Sequence, residues 1–209
     1  MRTDKNETDM MKERKTDMNV YSDALEALRN GGVLLYPTDT VWGLGCDATN
    51  PEAVRKVYGI KRRPDSKSLV LLASDLDMVA RYIREIPEMA VQLVEVNDRP
   101  MTIIYPDALT GPDCRGLADN VVAEDGSVGI RIPMADFCRD LVRRFGRPIV
   151  STSANISGEP TPKRFADIPQ TIKDSVDCIL DPSLERQSSG KASSIIKVGI
   201  DGTIDIIRK

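Results

Sequence analysis

Residues 33–73 read VLLYPTDTVWGLGCDATNPEAVRKVYGIKRRPDSKSLVLLA, and their reading decides the fold. VLLY is a short unbroken apolar run, the pattern of a strand covered on both faces. Asn50 followed by Pro51 is a cap and a favoured first helical residue, so PEAVRKVYGIK predicts a helix over 51–61. SLVLLA, from Ser68, predicts a second buried strand. The result is a strand, helix, strand unit that leaves two polar segments over for chemistry, YPTDTVWGLGCDA at 36–48 and KRRPDSK at 61–67.

Upstream, Ser22 is placed to cap a short helix, DALEALRN, which Gly31 and Gly32 end in the left-handed conformation. Residues 1–18 alternate charges of both signs with methionine and have little to bury, so they predict a mobile arm ahead of one domain at 19–209. Downstream, helical spacing recurs near Leu76–Ile83, Glu88–Val96 and in FCRDLVRRFG. MTIIY, VGIRIP, PIVST, DCILD, SSIIKV and TIDII read as strands. Helices and strands alternate first and strands cluster at the end, too closely spaced for helical crossovers. The expected class is α/β, a single domain with an open mixed sheet flanked by helices.

At 209 residues the chain supports one core without staples. Aromatics are 4% of residues, which predicts an aliphatic core. A net charge of −3 and a pI near 5.2 argue against non-specific coating of nucleic acid, so any anion site must be local. With no histidine, imidazole catalysis is excluded. The four cysteines stand far apart with no CxxC pair, which points to reduced thiols. No apolar run is long enough to span a membrane and no signal-peptide core is present, so a soluble cytoplasmic protein without membrane association is expected.

Three polar segments adjoin buried strands. The 36–48 loop offers Thr38, Asp39, Thr40 and glycines that let a ligand approach the backbone. KRRPDSK gathers Lys61, Arg62, Arg63 and Lys67 on a turn, since Pro64 halts the helix; guanidinium forks and a lysine point charge suit phosphate. STSANISGEPTP, at 151–162, is rich in short donors. A shared pocket at the carboxyl ends of the strands is expected, for a nucleotide or for an RNA backbone. GKAS at Gly190 is not a phosphate loop, because the required upstream glycine is Glu185.

Together GGVLLYPTDTVWGLGCDA, KRRPDSKSLVLL, GIRIP and STSANISGEP resemble the YrdC/Sua5 family of L-threonylcarbamoyl-AMP synthases, over about Asp23 to Arg208. The resemblance implies a YrdC/RibB-like fold, a twisted open mixed sheet with a concave basic site. It implies synthesis of L-threonylcarbamoyladenylate and pyrophosphate from L-threonine, bicarbonate and ATP, for modification of tRNA position 37, with magnesium carried on ATP rather than ligated by the protein. It further implies partner proteins that transfer the threonylcarbamoyl group to tRNA. By residue-wise match, Lys61 and Arg63 meet triphosphate and carbamate, at an open pocket where alanine would remove turnover without harming the fold. Ser153 and Asn155 match the SxN pair, Thr40, Arg131 and Ser193 match threonine contacts, and Ser127, Ser151, Thr161 and Arg208 match weaker nucleotide or substrate positions. Lys67 adds a charge where relatives carry a small polar residue. Trp42 stands where tyrosine is usual, NDRPMT replaces WPGPLT, and ASS at 192–194 replaces E-S-T, departures on the walls of the pocket. One alternative stays open, a tRNA- or double-stranded-RNA-binding module without turnover; a dihydroxybutanone phosphate synthase of related fold is set aside, because the acidic metal-binding signature of such an enzyme is lacking.

Overall fold

The computed structural model describes residues 21–63, 69–112 and 115–209, the Gln187 side chain excepted. The arm expected at 1–18, Pro64, Lys67 and Cys114 lie outside them. The strands are β1 (Leu34–Tyr36), β2 (Gly43–Gly45), β3 (Val70–Leu72), β4 (Met101–Tyr105), β5 (Val128–Arg131), β6 (Ile149–Ser153), β7 (Cys178–Ile179), β8 (Ser194–Val198) and β9 (Ile204–Arg208). They form one open mixed sheet in the order β7-β1-β2-β6-β3-β5-β4-β8-β9. The helices are α1 (residues 21–29), α2 (Pro51–Lys61), α3 (Leu76–Ala80), α4 (Glu88–Val96), α5 (Asp136–Phe145) and α6 (Gln170–Lys173).

The structure corrects the strand, helix, strand reading in an instructive way. GLG, read as part of a loop, is strand β2, antiparallel to β1 (Tyr36 opposite Gly43) and to β6 (Gly43 opposite Ser153). Because β3 is also antiparallel to β6, β2 and β3 run the same way. The parallel unit is therefore β2-α2-β3, with β6 inserted between its strands, and β1 is not β3's neighbour. Closely spaced β8 and β9 form an antiparallel hairpin, while β8 lies parallel to β4.

Local chemistry explains the boundaries of α2. Asn50 Oδ1 accepts from Glu52 N (3.0 Å) and Ala53 N (3.2 Å), and Pro51 fills the first turn. At its far end Arg62 takes φ +50°, the left-handed conformation usually left to glycine, and Arg63 N returns to Tyr58 O at 3.0 Å. This turn throws Arg62 into solvent and brings Arg63 against the sheet. In α1, Ser22 falls inside the helix rather than at its cap, but Gly31 does close it, with φ +68°.

The core is dominated by leucine, valine and isoleucine, yet Trp42, Tyr36, Tyr58 and Tyr105 are among its largest fully buried side chains. The aliphatic-core expectation therefore holds, with a few large aromatic side chains set among the aliphatic ones. Helix α2 buries Ala53, Val54, Val57 and Tyr58, and α5 buries Cys138, Leu141, Val142 and Phe145. Cys46, Cys138 and Cys178 are free thiols, the first two raised in pKa chiefly by burial. Among the described residues, no helix is long and apolar enough to cross a membrane.

Candidate active site

A cavity of about 330 Å³ lies on one face of the sheet. Its wall draws Gly43 from β2, Val70 from β3, Arg131 from β5, Ser151 to Ser153 from β6, Ile195 from β8 and Arg208 from β9. These strands run in both directions, so the site is laid across the sheet rather than beyond its carboxyl edge, as had been expected. A smaller hollow of about 150 Å³, lined by Thr102, Ser127, Gly129 and the shared Val70 and Ile195, adjoins it. On the opposite face, Met101, Ile103, Tyr105 and Ile130 line a separate apolar hollow, as strand alternation requires.

Charge is the cavity's main feature, since Arg63, Arg131 and Arg208 all line it. Arg208 Nε donates to Ser193 O at 2.9 Å, and burial, then the charge of Arg131, lowers the pKa of its guanidinium. Like charges held together against water favour an anionic ligand that would neutralise them. Arg131 is 4% exposed and its Nη1 donates to Asp39 Oδ1, while Asp39 Oδ2 accepts from Met134 N at 3.0 Å.

Lys61 stands differently from the resemblance. It is 2% exposed, beneath the 153–155 segment, with Nζ donating to Ser153 O (2.5 Å) and Asn155 O (2.8 Å). The expectation of an open pocket at Lys61 is thus overturned: the last residue of α2 is a strap that fixes the loop following β6. Burial, and next the charge of Arg63, lower its ammonium to about 8. Asn155 spends its amide N–H groups on Ile156 O (3.0 Å) and Glu159 O (2.7 Å), which leaves the buried Oδ1 without a hydrogen-bond donor.

The opposite rim is built of hydroxyls. Thr38 Oγ1 and Thr40 Oγ1 lie 2.8 Å apart, and both residues line the cavity. Thr40 O accepts from Gly190 N and Ser188 Oγ, both at 2.7 Å, and Asp39 O accepts from Ser189 N at 3.0 Å, so residues 188–190 clamp this loop from outside. Ser193 and Thr102 share a buried hydrogen bond at 2.8 Å. Trp42 is not a wall of the cavity: its side chain is fully buried, with Nε1 donating to Glu185 Oε2 at 2.7 Å and its ring 5.0 Å from that of Phe165.

Of the residues singled out from sequence, Thr40, Arg63, Arg131, Ser151, Ser153, Thr161, Ser193 and Arg208 line the cavity together. Ser127 lines the adjoining hollow, donating its hydroxyl to Asp125 Oδ1 at 2.6 Å; Lys61 and Asn155 lie behind the wall. Lys67 falls outside the described residues. Sequence reasoning passed over Thr102, and it noted Asp39 and Gly43 only as members of the polar loop, without a role for either. Asp39 stood in the quoted loop, but the partner that gives it a role is 92 positions away. Among the described residues, no group of three or more His, Cys, Asp or Glu side chains is placed to hold a metal.

Residues 26–209 match the Sua5/YciO/YrdC family model, which carries the description "Telomere recombination". The chain belongs to this family. Within the Sua5/YciO/YrdC family, a curated relative from Stenotrophomonas maltophilia, named threonylcarbamoyl-AMP synthase, is 35% identical over 163 residues, covering 76% of this chain and 83% of its own. Among solved structures, P. abyssi Sua5 superposes with a TM-score of 0.75 at 26% identity over 87% of this chain, which spans about half (53%) of that protein. E. coli YciO superposes at 0.74 and 23% identity, covering 92% of this chain and 89% of its own, a likeness of fold. The fold described above is thus that of the Sua5/YciO/YrdC domain.

Proposed function

We propose that this chain is a threonylcarbamoyl-AMP synthase, forming L-threonylcarbamoyladenylate and pyrophosphate from L-threonine, bicarbonate and ATP. The observation that carries the reading is the convergence of Arg63, Arg131 and Arg208 with a hydroxyl rim in one cavity, in a chain whose curated relatives bear that name. Threonine's amine and bicarbonate give a carbamate and water; a carbamate oxygen then attacks the α-phosphorus and pyrophosphate leaves. The nucleophile is already anionic. The second step therefore requires alignment and neutralisation of charge more than a strong base, which suits a site without histidine.

In this reading Arg63 and Arg208 grip the triphosphate, Arg131 takes the threonine carboxylate, and the Thr40 and Ser193 hydroxyls contact the amino acid. Ser153 and Asn155 are held in register by the Lys61 strap. Magnesium arrives with ATP on phosphate oxygens, since the cavity wall supplies arginines and hydroxyls instead of free carboxylates. The product passes to proteins that transfer threonylcarbamoyl to position 37 of tRNA in the cytoplasm. Incubating the purified chain with ATP, threonine, bicarbonate and magnesium should release pyrophosphate only when threonine is present; threonine-independent release, or none, rejects the reading.

The Lys61 ammonium provides a test in pH. Its pKa is depressed in the fold, from 10.5 to about 8. Burying the cation therefore opposes folding below pH 8, and this cost is relieved as pH rises toward the unfolded value. Lys61 lies behind the wall, but its charge is felt by Arg63, which lines the cavity, and this part of the positive field disappears over the same window. ATP affinity, measured by calorimetry, is expected to fall above pH 8 while the melting temperature does not; affinity that is flat to pH 9.5 contradicts this.

A further inference from the structure

Asp39 is the only carboxylate in ion-pair contact with a cavity arginine among the described ion pairs, and it is 5% exposed. Its anchoring is complete: Oδ1 on Arg131, Oδ2 on Met134 N at 3.0 Å, and its own carbonyl taken by Ser189 N at 3.0 Å. The carboxylate is therefore held against Arg131, and one guanidinium nitrogen is committed to Asp39. Across the cavity Arg208 is oriented only by a neutral carbonyl, Ser193 O, and no carboxylate lies in ion-pair distance among the described residues. The two arginines line the same space with different net charge around them.

We propose that Asp39 is a positioning and specificity-determining residue that divides the cavity into two unequal anion subsites. At Arg131 the charge is balanced in advance, so what remains is directional hydrogen bonding suited to a single carboxylate. At Arg208 the charge is uncompensated and suits a polyphosphate. Without Asp39, the more highly charged ligand would compete for both arginines and occupy the place of the amino acid. The assignment of the Arg131 subsite to threonine rests on the synthase reading; the charge partition does not.

The test is calorimetric titration of the full chain with pyrophosphate and, separately, with L-threonine, for the natural protein and Asp39→Asn, which keeps the shape and removes the charge. Pyrophosphate is expected to bind about threefold or more tightly in Asp39→Asn, because one fixed negative charge beside the cavity is gone. Threonine is expected to bind roughly tenfold more weakly, because Arg131 loses its orientation. A merely structural role would weaken both. Unchanged or weaker pyrophosphate binding overturns the proposal. If Asp39→Asn does not fold, Asp39→Asn combined with Arg131→Gln restores a neutral pair and should bind pyrophosphate within about twofold of the natural protein while losing threonine. A tenfold loss of pyrophosphate affinity in that double variant would mean that Arg131 already serves phosphate, and would also overturn it. Failure of the synthase reading would appear elsewhere, as a natural protein that makes no threonine-dependent pyrophosphate while the pyrophosphate affinities still report on Asp39.

Discussion

Lys61→Met is expected to lose turnover and stability together, whereas Arg63→Ala is expected to lose turnover and remain nearly as stable as the natural protein. The difference follows from where the two cations of one motif come to rest. Methionine preserves the stem of Lys61 but removes the donor to Asn155 O and one of the two donors to Ser153 O, which keeps Asn155 N at 2.9 Å; a buried carbonyl left unpaired costs about 1–3 kcal/mol. Relief of the buried ammonium offsets part of this, so the net loss should be about 1–2 kcal/mol, or roughly 2–8 °C in melting temperature for a chain of this size. Arg63 lines the cavity and is half-buried, so its loss removes charge from the site instead of scaffolding. Deleting a preorganised cationic group at a developing charge costs on the order of 10²–10³ in rate. Thermal unfolding alongside pyrophosphate release separates the two variants; equal melting losses in both would show that the strap has been misread.

The second large effect concerns Gly45 in β2. A Cβ there would sit 2.6 Å from Tyr36 Cε1 and 2.8 Å from Val150 O, inside the closest approach that real side chains show. Neither neighbour can retreat, since Tyr36 is fully buried and Val150 belongs to the central strand β6. Gly45→Ala should cost about 3 kcal/mol, and Gly45→Val should prevent folding. Gly43, two residues earlier, is the internal control: its Cβ would meet Thr152 O at 3.4 Å and Ser151 Oγ at 3.5 Å, ordinary contacts, but it lines the cavity. Gly43→Ala should fold and lose substrate affinity. Denaturant unfolding of both alanine variants decides the matter, and similar midpoints would contradict the packing described here.

The comparison of these two glycines also shows what could be read from the chain. Long apolar runs and a capped amphipathic segment announced β1, α2, β3, β4 and α5, because burial on both faces and 3.6-residue spacing leave marks within a dozen residues. GLG left none. Three residues with two glycines have low strand propensity, and they extend only because β1 and β6 supply partners on either side. The site divides the same way. Arg63, Ser153 and the PTDT loop were legible as polar segments beside apolar strands. The burial of Lys61 and the pairing of Asp39 with Arg131 were not, since each depends on groups some ninety positions distant that only the folded sheet brings together.

The place of β6 has a consequence for how the molecule is made. It lies between β2 and β3, strands synthesised more than seventy residues earlier, and its last residue continues into the segment that Lys61 grips. Until residues 149–153 leave the ribosome, both earlier strands carry an unpaired edge facing a gap. Filling that gap joins the two halves of the sheet and sets Ser151 to Ser153 against Arg63 in a single event. The nascent chain therefore acquires the floor of its binding cavity when β6 inserts, and Ser193, Ile195 and Arg208 complete it later.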